Sequence, residues 1–409
     1  MGMDRKSRGV GYGSTPLLNV WLSYGCAGQV LHFQQNEGPP MNRRAARCLA
    51  ILCLLLFLPG CWDVKDVDNR LLETAIGIEP AGGDRVRVWM RFPLPQSQDG
   101  AHKEFFVIKQ EGSTVIEAID QLRLRLPKSL DMSQNQSIFL DQALAKKGFM
   151  PYLEFTIRDR TVPLDSLIAI TTGGMKSIFE RPNPTGELSG IYTKLFFERY
   201  GGGTSQKNVV SLWEIFRGYY DPLEECLVPV LVTDSETIFR VAGNAFFKND
   251  AMVGMISPEE TLIYEIVTGK MSPFEIETAD KMNLKILNSS ADIDTDMRSG
   301  KPVIRIHAKL SMTLMDSARG IDIKAKHLEA SINRLIEQRA AAVFRMTQAQ
   351  ESDIFGFGNR FRGKVPPSQY ERWPKLYSTA TLEFKLDSEL KNTGLQLRRR
   401  PFINPSKEK

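Results

Sequence analysis

Cys61 follows Leu58-Pro59-Gly60 at the end of an apolar run that reaches from Cys48 to Leu58, with Arg43, Arg44 and Arg47 just upstream. That order of basic, apolar and small residues before a cysteine supports one definite reaction. The thiol takes a diacylglyceryl group, a peptidase cuts between Gly60 and Cys61, and the freed amine is acylated. The apolar run, about 11 residues, lies in the range of a signal-peptide core and is well short of the roughly 20 needed to span a bilayer. Leu58 and Gly60 match the residues such a peptidase favours. Pro59 stands where Ala, Ser or Thr is usual. More than one acyl chain on Cys61 makes a stable anchor, because each buried methylene contributes about 0.8 kcal/mol.

No other residues assemble a recognisable reaction centre. Asp353-Ile-Phe-Gly-Phe-Gly358 has the glycines of a phosphate loop but follows a helical pattern and lacks the Lys-Ser/Thr pair. Its glycines read as a helix stop. Gly201-Gly202-Gly203 lacks a strand–helix context and reads as a connector. His102, His307 and His327 are far apart, and His32 lies in the first 40 residues. Cys226 sits beside Glu224 and Glu225, which raise a thiol's pKa rather than activate it. There is no CxxC pair, so zinc is not expected. The reading assigns no catalytic residue, metal ligand or cofactor site.

The elements that position these residues follow from periodicity. Met41 reads as the true start, with 1–40 an upstream extension and 41–60 the signal peptide. Of five cysteines only Cys61 and Cys226 remain after processing, so no disulfide framework is expected. At 42% apolar and 25% charged the chain is that of a globular protein, and a net charge of +5 is too diffuse for nucleic acid. Arg398-Arg399-Arg400 reads as part of a solvated tail.

Strands are expected over Glu73–Pro80 and Arg85–Pro93, joined by Gly82-Gly83, and from Phe105, Ser137, Ser166, Leu227 and Phe239. Thr114 and Glu117 form a capping box for a helix whose buried face includes Val115, Ile116, Ile119, Leu122 and Leu126. Ser257-Pro-Glu-Glu260 starts a second helix, which Gly269 ends. Val303–Leu314 alternates as a half-buried strand, a long helix spans Lys326–Ala349, and a last strand begins at Thr381. The fold class is therefore α+β and multi-domain, with mixed, mainly antiparallel sheets and helices packed on one face. An N-terminal α/β domain is expected over 61–200, a linker and helix over 201–226, a C-terminal α/β region over 227–400 with two subdomains possible, and a tail over 401–409.

Several segments together resemble one family. They are Gly60-Cys61-Trp62-Asp63, Thr74-Ala-Ile-Gly-Ile78, Gly243-Asn-Ala-Phe-Phe-Lys248, Met252-Val-Gly254, Thr261 through Lys270, Asp353–Gly358 and Asn392-Thr-Gly-Leu395. Their order over the mature chain is similar to that of the Ger(x)C family, the C subunits of spore germinant receptors. The resemblance implies three mixed α/β domains and no enzyme activity. It also implies a lipoprotein on the outer face of the spore's inner membrane, partnered by integral A and B subunits and contributing to nutrient-triggered germination. Whether such a subunit itself takes up a small germinant is left open by the residues. The competing reading is a solute-binding envelope lipoprotein that captures a small nutrient with the same anchor.

Overall fold

The fold is that of a computed structural model, which describes residues 44, 67–94, 104–184, 191–197, 208–270, 274–277, 282–317 and 325–392. The chain divides into two units, Met1–Lys65 and Asp66–Lys409, and the account below concerns the second.

After β1 (Arg70–Leu72) the chain enters β2 (Ala75–Gly82) and turns back into β3 (Arg85–Pro93) and β4 (Phe105–Gly112). Gly82 and Gly83 take φ of +95° and +58° at the first turn, where a Cβ would be strained. Helix α1 (Val115–Arg123) leads to β5 (Ser129–Asp131), which pairs in parallel with β1, and then to β6 (Ser137–Asp141). Helices α2 (Gln142–Lys147) and α3 (Met150–Arg158) return the chain to β7 (Leu167–Thr172). Helices α4 (Lys176–Phe179), α5 (Ile191–Phe197) and α6 (Leu212–Tyr220) precede β8 (Leu227–Thr233), β9 (Phe239–Lys248) and β10 (Ala251–Ile256). Together they build one eight-stranded sheet in the order β10-β9-β8-β7-β6-β2-β3-β4. Its middle strands β2, β6, β7 and β8 run parallel and both flanks are antiparallel.

This sheet is buried on both faces. Ile76, Ile78, Ile138, Leu140, Ile168, Ile170, Val228 and Val230 pack with residues of α1, α2, α3 and α6. Ala75, Phe139, Ala169, Leu231 and Phe239 pack on the other side with Met175, Ile178, Phe179 and Phe197. The expectation of helices on one face fails here for a physical reason: parallel neighbours need crossover connections, and these cover both sides. The sheet also takes strands from both sides of the expected domain limits at 200 and 227. The pattern that restarts after Cys226 adds β8 to β7 rather than beginning a separate sheet.

Thr114 caps α1 by accepting from Glu117 N at 3.1 Å. The return arm differs from expectation, because the Glu117 carboxylate takes Ser113 N at 2.7 Å, one residue upstream of the cap. Ile116, expected inside, is exposed, and Ala118 fills the buried face instead. In α7 (Pro258–Thr268) the box closes as expected, Ser257 Oγ accepting from Glu260 N at 3.1 Å and Glu260 from Ser257 N at 2.8 Å. Gly269 ends it at φ +71°.

A second sheet has the order β11-β12-β13-β14, formed by Phe274–Glu277, Met282–Arg298, Lys301–Ser317 and Thr381–Asn392. Leu284, Ile286, Ile304, Ile306, Ala308, Leu310, Met312 and Leu386 face α7 and the long helix α8 (Ala325–Ala349), which contributes Leu328, Ile332, Ile336, Ala340 and Val343. The opposite face is polar, with Arg305 paired to Asp294 and His307 Nε2 2.7 Å from Asp387. Among the described residues no helix is long and apolar enough to cross a membrane.

Candidate functional site

The Asp353–Gly358 run becomes the centre of a junction between the two sheets. The chain leaves α8, reverses at Glu351 (φ +56°), and turns into a 3₁₀ segment over Phe357–Phe361. Asp353, 2% exposed, is the hub. Its Oδ2 accepts from Gly358 N and from Trp373 Nε1, both at 2.8 Å, which ties the turn to the first residue of α9 (Trp373–Ser378). Its backbone carbonyl accepts from Glu225 N at 3.0 Å. Ser352 Oγ donates to Phe247 O on β9.

The other half of the junction is the 221–226 connector between α6 and β8. Asp221 pairs with Arg362, and Glu224 accepts from Asn359 Nδ2 at 3.0 Å while pairing with Arg217 at 3.0 Å. Glu225 Oε1 accepts from Asn249 N at 3.0 Å, and Lys248 pairs with Glu351 at 2.6 Å. Gly358 is required by close approach: a Cβ there would lie 2.5 Å from Leu223 O and 2.7 Å from Trp373 Nε1.

Burial dominates the electrostatics. It pushes Asp353 up to about 7 against its N–H donors, with Glu224 adding to the rise. It pushes Glu225 up to about 8, the Asn249 amide opposing and Asp353 adding. The Cys226 thiol is raised by burial, then by Glu225 and Glu224, and its Sγ lies 3.6 Å from the carbonyls of Glu214 and Ile215. Such a thiol is a poor nucleophile. The carboxyls could hold protons near neutrality, yet Asp353 is sealed under Trp373 and its donors are the groups that shape the turn. The arrangement is a clasp joining segments about 130 residues apart in sequence.

A second buried acid, Glu73, is fully enclosed and held by Asn135 Nδ2 at 3.2 and 3.1 Å from its two oxygens, and burial raises its pKa strongly. Arg91, 5% exposed, donates to the carbonyls of Ile178 and Arg181 and lies 3.6 Å from the centre of the Phe105 ring. Among the described residues no group of three or more His, Cys, Asp or Glu side chains is placed to hold a metal ion.

The residues with the clearest chemical role in the sequence, Leu58, Pro59, Gly60 and Cys61, lie outside the described residues, as do His102, Gly201–Gly203 and Arg398–Arg400. His307 and His327 lie on different elements, β13 and α8. Of the family-like segments, the structure brings three together. Asn244 on β9 donates to Thr261 on α7 at 2.8 Å, and Gly254 gives way to the Phe246 ring, 2.1 Å from a Cβ at that position. Periodicity does not reveal the Glu225–Asp353–Trp373 clasp, since its members are far apart in sequence. The signal that could have pointed to it is a carboxylate placed directly before a Gly-rich turn.

Residues 63–233 match the spore germination protein N-terminal domain, and residues 242–394 match the spore germination B3/GerAC-like C-terminal domain. Three proteins of Bacillus subtilis (strain 168) are similar. Spore germination protein B3 is 22% identical, over 65% of this chain and 74% of its own. The putative spore germination protein YfkR is 20% identical, over 78% and 88%, and spore germination protein KC is 19% identical, over 87% and 97%. The crystal structure of the GerBC protein superposes with a TM-score of 0.51 at 17% identity, covering 78% of this chain and 97% of that one. It shares the mixed-sheet α+β fold. With both domain models matched in order over most of its length, the chain belongs to the Ger(x)C family of spore germination proteins.

Proposed function

We propose that this chain is the lipid-anchored C subunit of a spore germinant receptor. Cleavage after Gly60 makes Cys61 the first residue of the mature protein, and its acyl chains, palmitate among them, hold it on the outer face of the spore's inner membrane. Its role is non-enzymatic: it contacts integral A and B subunits and is needed for nutrient-triggered germination. The observation that carries this reading is the onset of the family match at residue 63, two residues after a cysteine that ends a basic-then-apolar segment. The clasp around Asp353 supports it, because the buried acids there are used to hold the fold and leave the surfaces to do the work.

The test is Cys61→Ala in the native chromosomal setting. The variant is expected to leave the membrane fraction, to deplete the receptor and to abolish the response to at least one nutrient, while non-nutrient triggers still act. An unmodified amino terminus upstream of Cys61 on spore membranes, or full nutrient germination with Cys61→Ala where no second copy of such a receptor is present, would refute it.

A further inference from the structure

We propose that α6 and the loop before β7 form a surface that rests in the headgroup region of the bilayer, so that the anchored body is oriented and not merely tethered. The inference rests on the anchoring reading above. Leu164 (54% exposed), Trp213 (46%), Tyr219 and Tyr220 (68%) all project from the body. Trp213 and Tyr220 belong to one open groove with Arg217, Arg362 and Tyr370. Arg217 lies 5.1 Å from the Trp213 ring and Arg362 5.6 Å from the Tyr370 ring. Indole and phenol rings with one apolar and one polar side, and long cationic stems, suit the boundary between headgroups and acyl chains.

What covers this patch follows from where the chain enters. From Cys61 to Val67 the chain can extend at most about 20 Å. It then passes through β1 to the starting end of the parallel strands, where Ala75, Ser137 and Leu167 lie side by side. Hydrogen bonds run along that same end. Gln136 N donates to Thr74 O at 3.0 Å, Leu167 N to Gln136 O at 3.0 Å, and Leu212 N to Ser166 O at 2.9 Å. Trp213 N donates to Leu164 O at 3.0 Å, which sets the exposed Trp and Leu beside each other. The end of the body carrying the patch is thus the end a short lipid tether holds near the bilayer. Arg217 and Arg362 are paired with Glu224 and Asp221, so the two arginines of the groove are neutralised. Its attraction to lipid is apolar and needs no anionic headgroup.

The experiment reconstitutes the acylated mature chain in vesicles of zwitterionic lipid whose acyl chains carry bromine near the headgroup. Tryptophan emission is compared between wild type and Trp213→Phe, so that their difference isolates Trp213 from Trp62, Trp89 and Trp373. The bromolipid is expected to remove most of the Trp213 emission, equally at low and high salt. In a Leu164→Ser/Tyr220→Ser variant that quenching is expected to weaken with Trp213 still in place. Protein that floats with the vesicles while Trp213 keeps its emission overturns this surface and leaves the anchor standing. Protein that does not float overturns both. Trp213 that is shielded only after the integral partner subunits are added assigns the patch to a protein contact and likewise overturns the proposal.

Discussion

The Asp353 carboxyl offers the sharpest test of the clasp. Replacing it with Asn keeps an oxygen to accept from Gly358 N and Trp373 Nε1 and removes the ionisation. In wild type the group moves from 3.8 to about 7 on folding. The sign follows from proton binding. Between those values the unfolded chain has released a proton that the folded chain still holds, so wild-type stability falls as pH rises through that window. The full fall is on the order of 4 kcal/mol, at 1.36 kcal/mol per pH unit. A body of this size melts with an entropy near 2.1 cal/mol/K per residue, so the loss corresponds to roughly 6 °C. The Asn amide N–H takes the place of Oδ1, which has no hydrogen-bond partner. That adds a cost of about 1–3 kcal/mol at every pH. The decisive quantity is therefore the slope of the difference with pH. Thermal unfolding of the mature wild type and D353N, followed by calorimetry from pH 4 to pH 8.5, should show the variant gaining on wild type by about 4 kcal/mol as pH rises. A difference that is constant with pH, or that moves the other way, refutes the assignment of a protonated, buried Asp353.

Gly358→Ala drives a methyl into Leu223 O and the Trp373 indole, and should cost about 1–3 kcal/mol in a denaturant melt, whereas Gly363→Ala, which meets nothing, should leave the midpoint close to wild type. Ser257→Ala removes the cap of α7 and should lower stability by about 1 kcal/mol in the same assay. Among the described residues Cys226 is the free thiol, and burial with Glu225 and Glu224 beside it keeps it protonated. A colourless-to-coloured disulfide reagent should label it only as the protein unfolds, and rapid labelling of the native protein at pH 8 would contradict that environment.

Much of the local structure is legible in single stretches of sequence. Arg85–Pro93, Leu227–Thr233 and Phe239–Lys248 become strands at those bounds, because turn residues bracket each apolar run. The alternation from Val303 to Leu314 maps onto one buried and one polar face. What escapes such reading depends on neighbours. Met282–Arg298 contains two Asn, two Ser and the acids Asp292, Asp294 and Asp296, a poor strand by composition. It is held in place by pairing along its length with β13. The two-sided burial of the larger sheet appears only once β6, β7 and β8 line up in parallel. The clasp escapes for the same reason, since nothing near Asp353 in sequence announces Trp373 or Glu225. The exposed Trp213 and Tyr220 look like ordinary members of an apolar helix until Leu212, Ile215 and Phe216 are seen to occupy its buried side.

The position of β2 has a mechanical meaning. It is the first long strand of the described chain, yet it lies inside the sheet, antiparallel to β3 from Ala75 to Gly82 and parallel to β6 from Ala75 to Ile78. A force on the chain at Val67 first meets the short β1–β5 pair, and what passes on along β2 loads the hydrogen bonds of both its neighbours in shear, so they share the load instead of opening one after another. A peripheral first strand would peel away under the same pull. Under the anchoring proposed above, the amino end is in this way gripped inside the largest sheet, and displacement there is passed to the body rather than absorbed by a fraying edge.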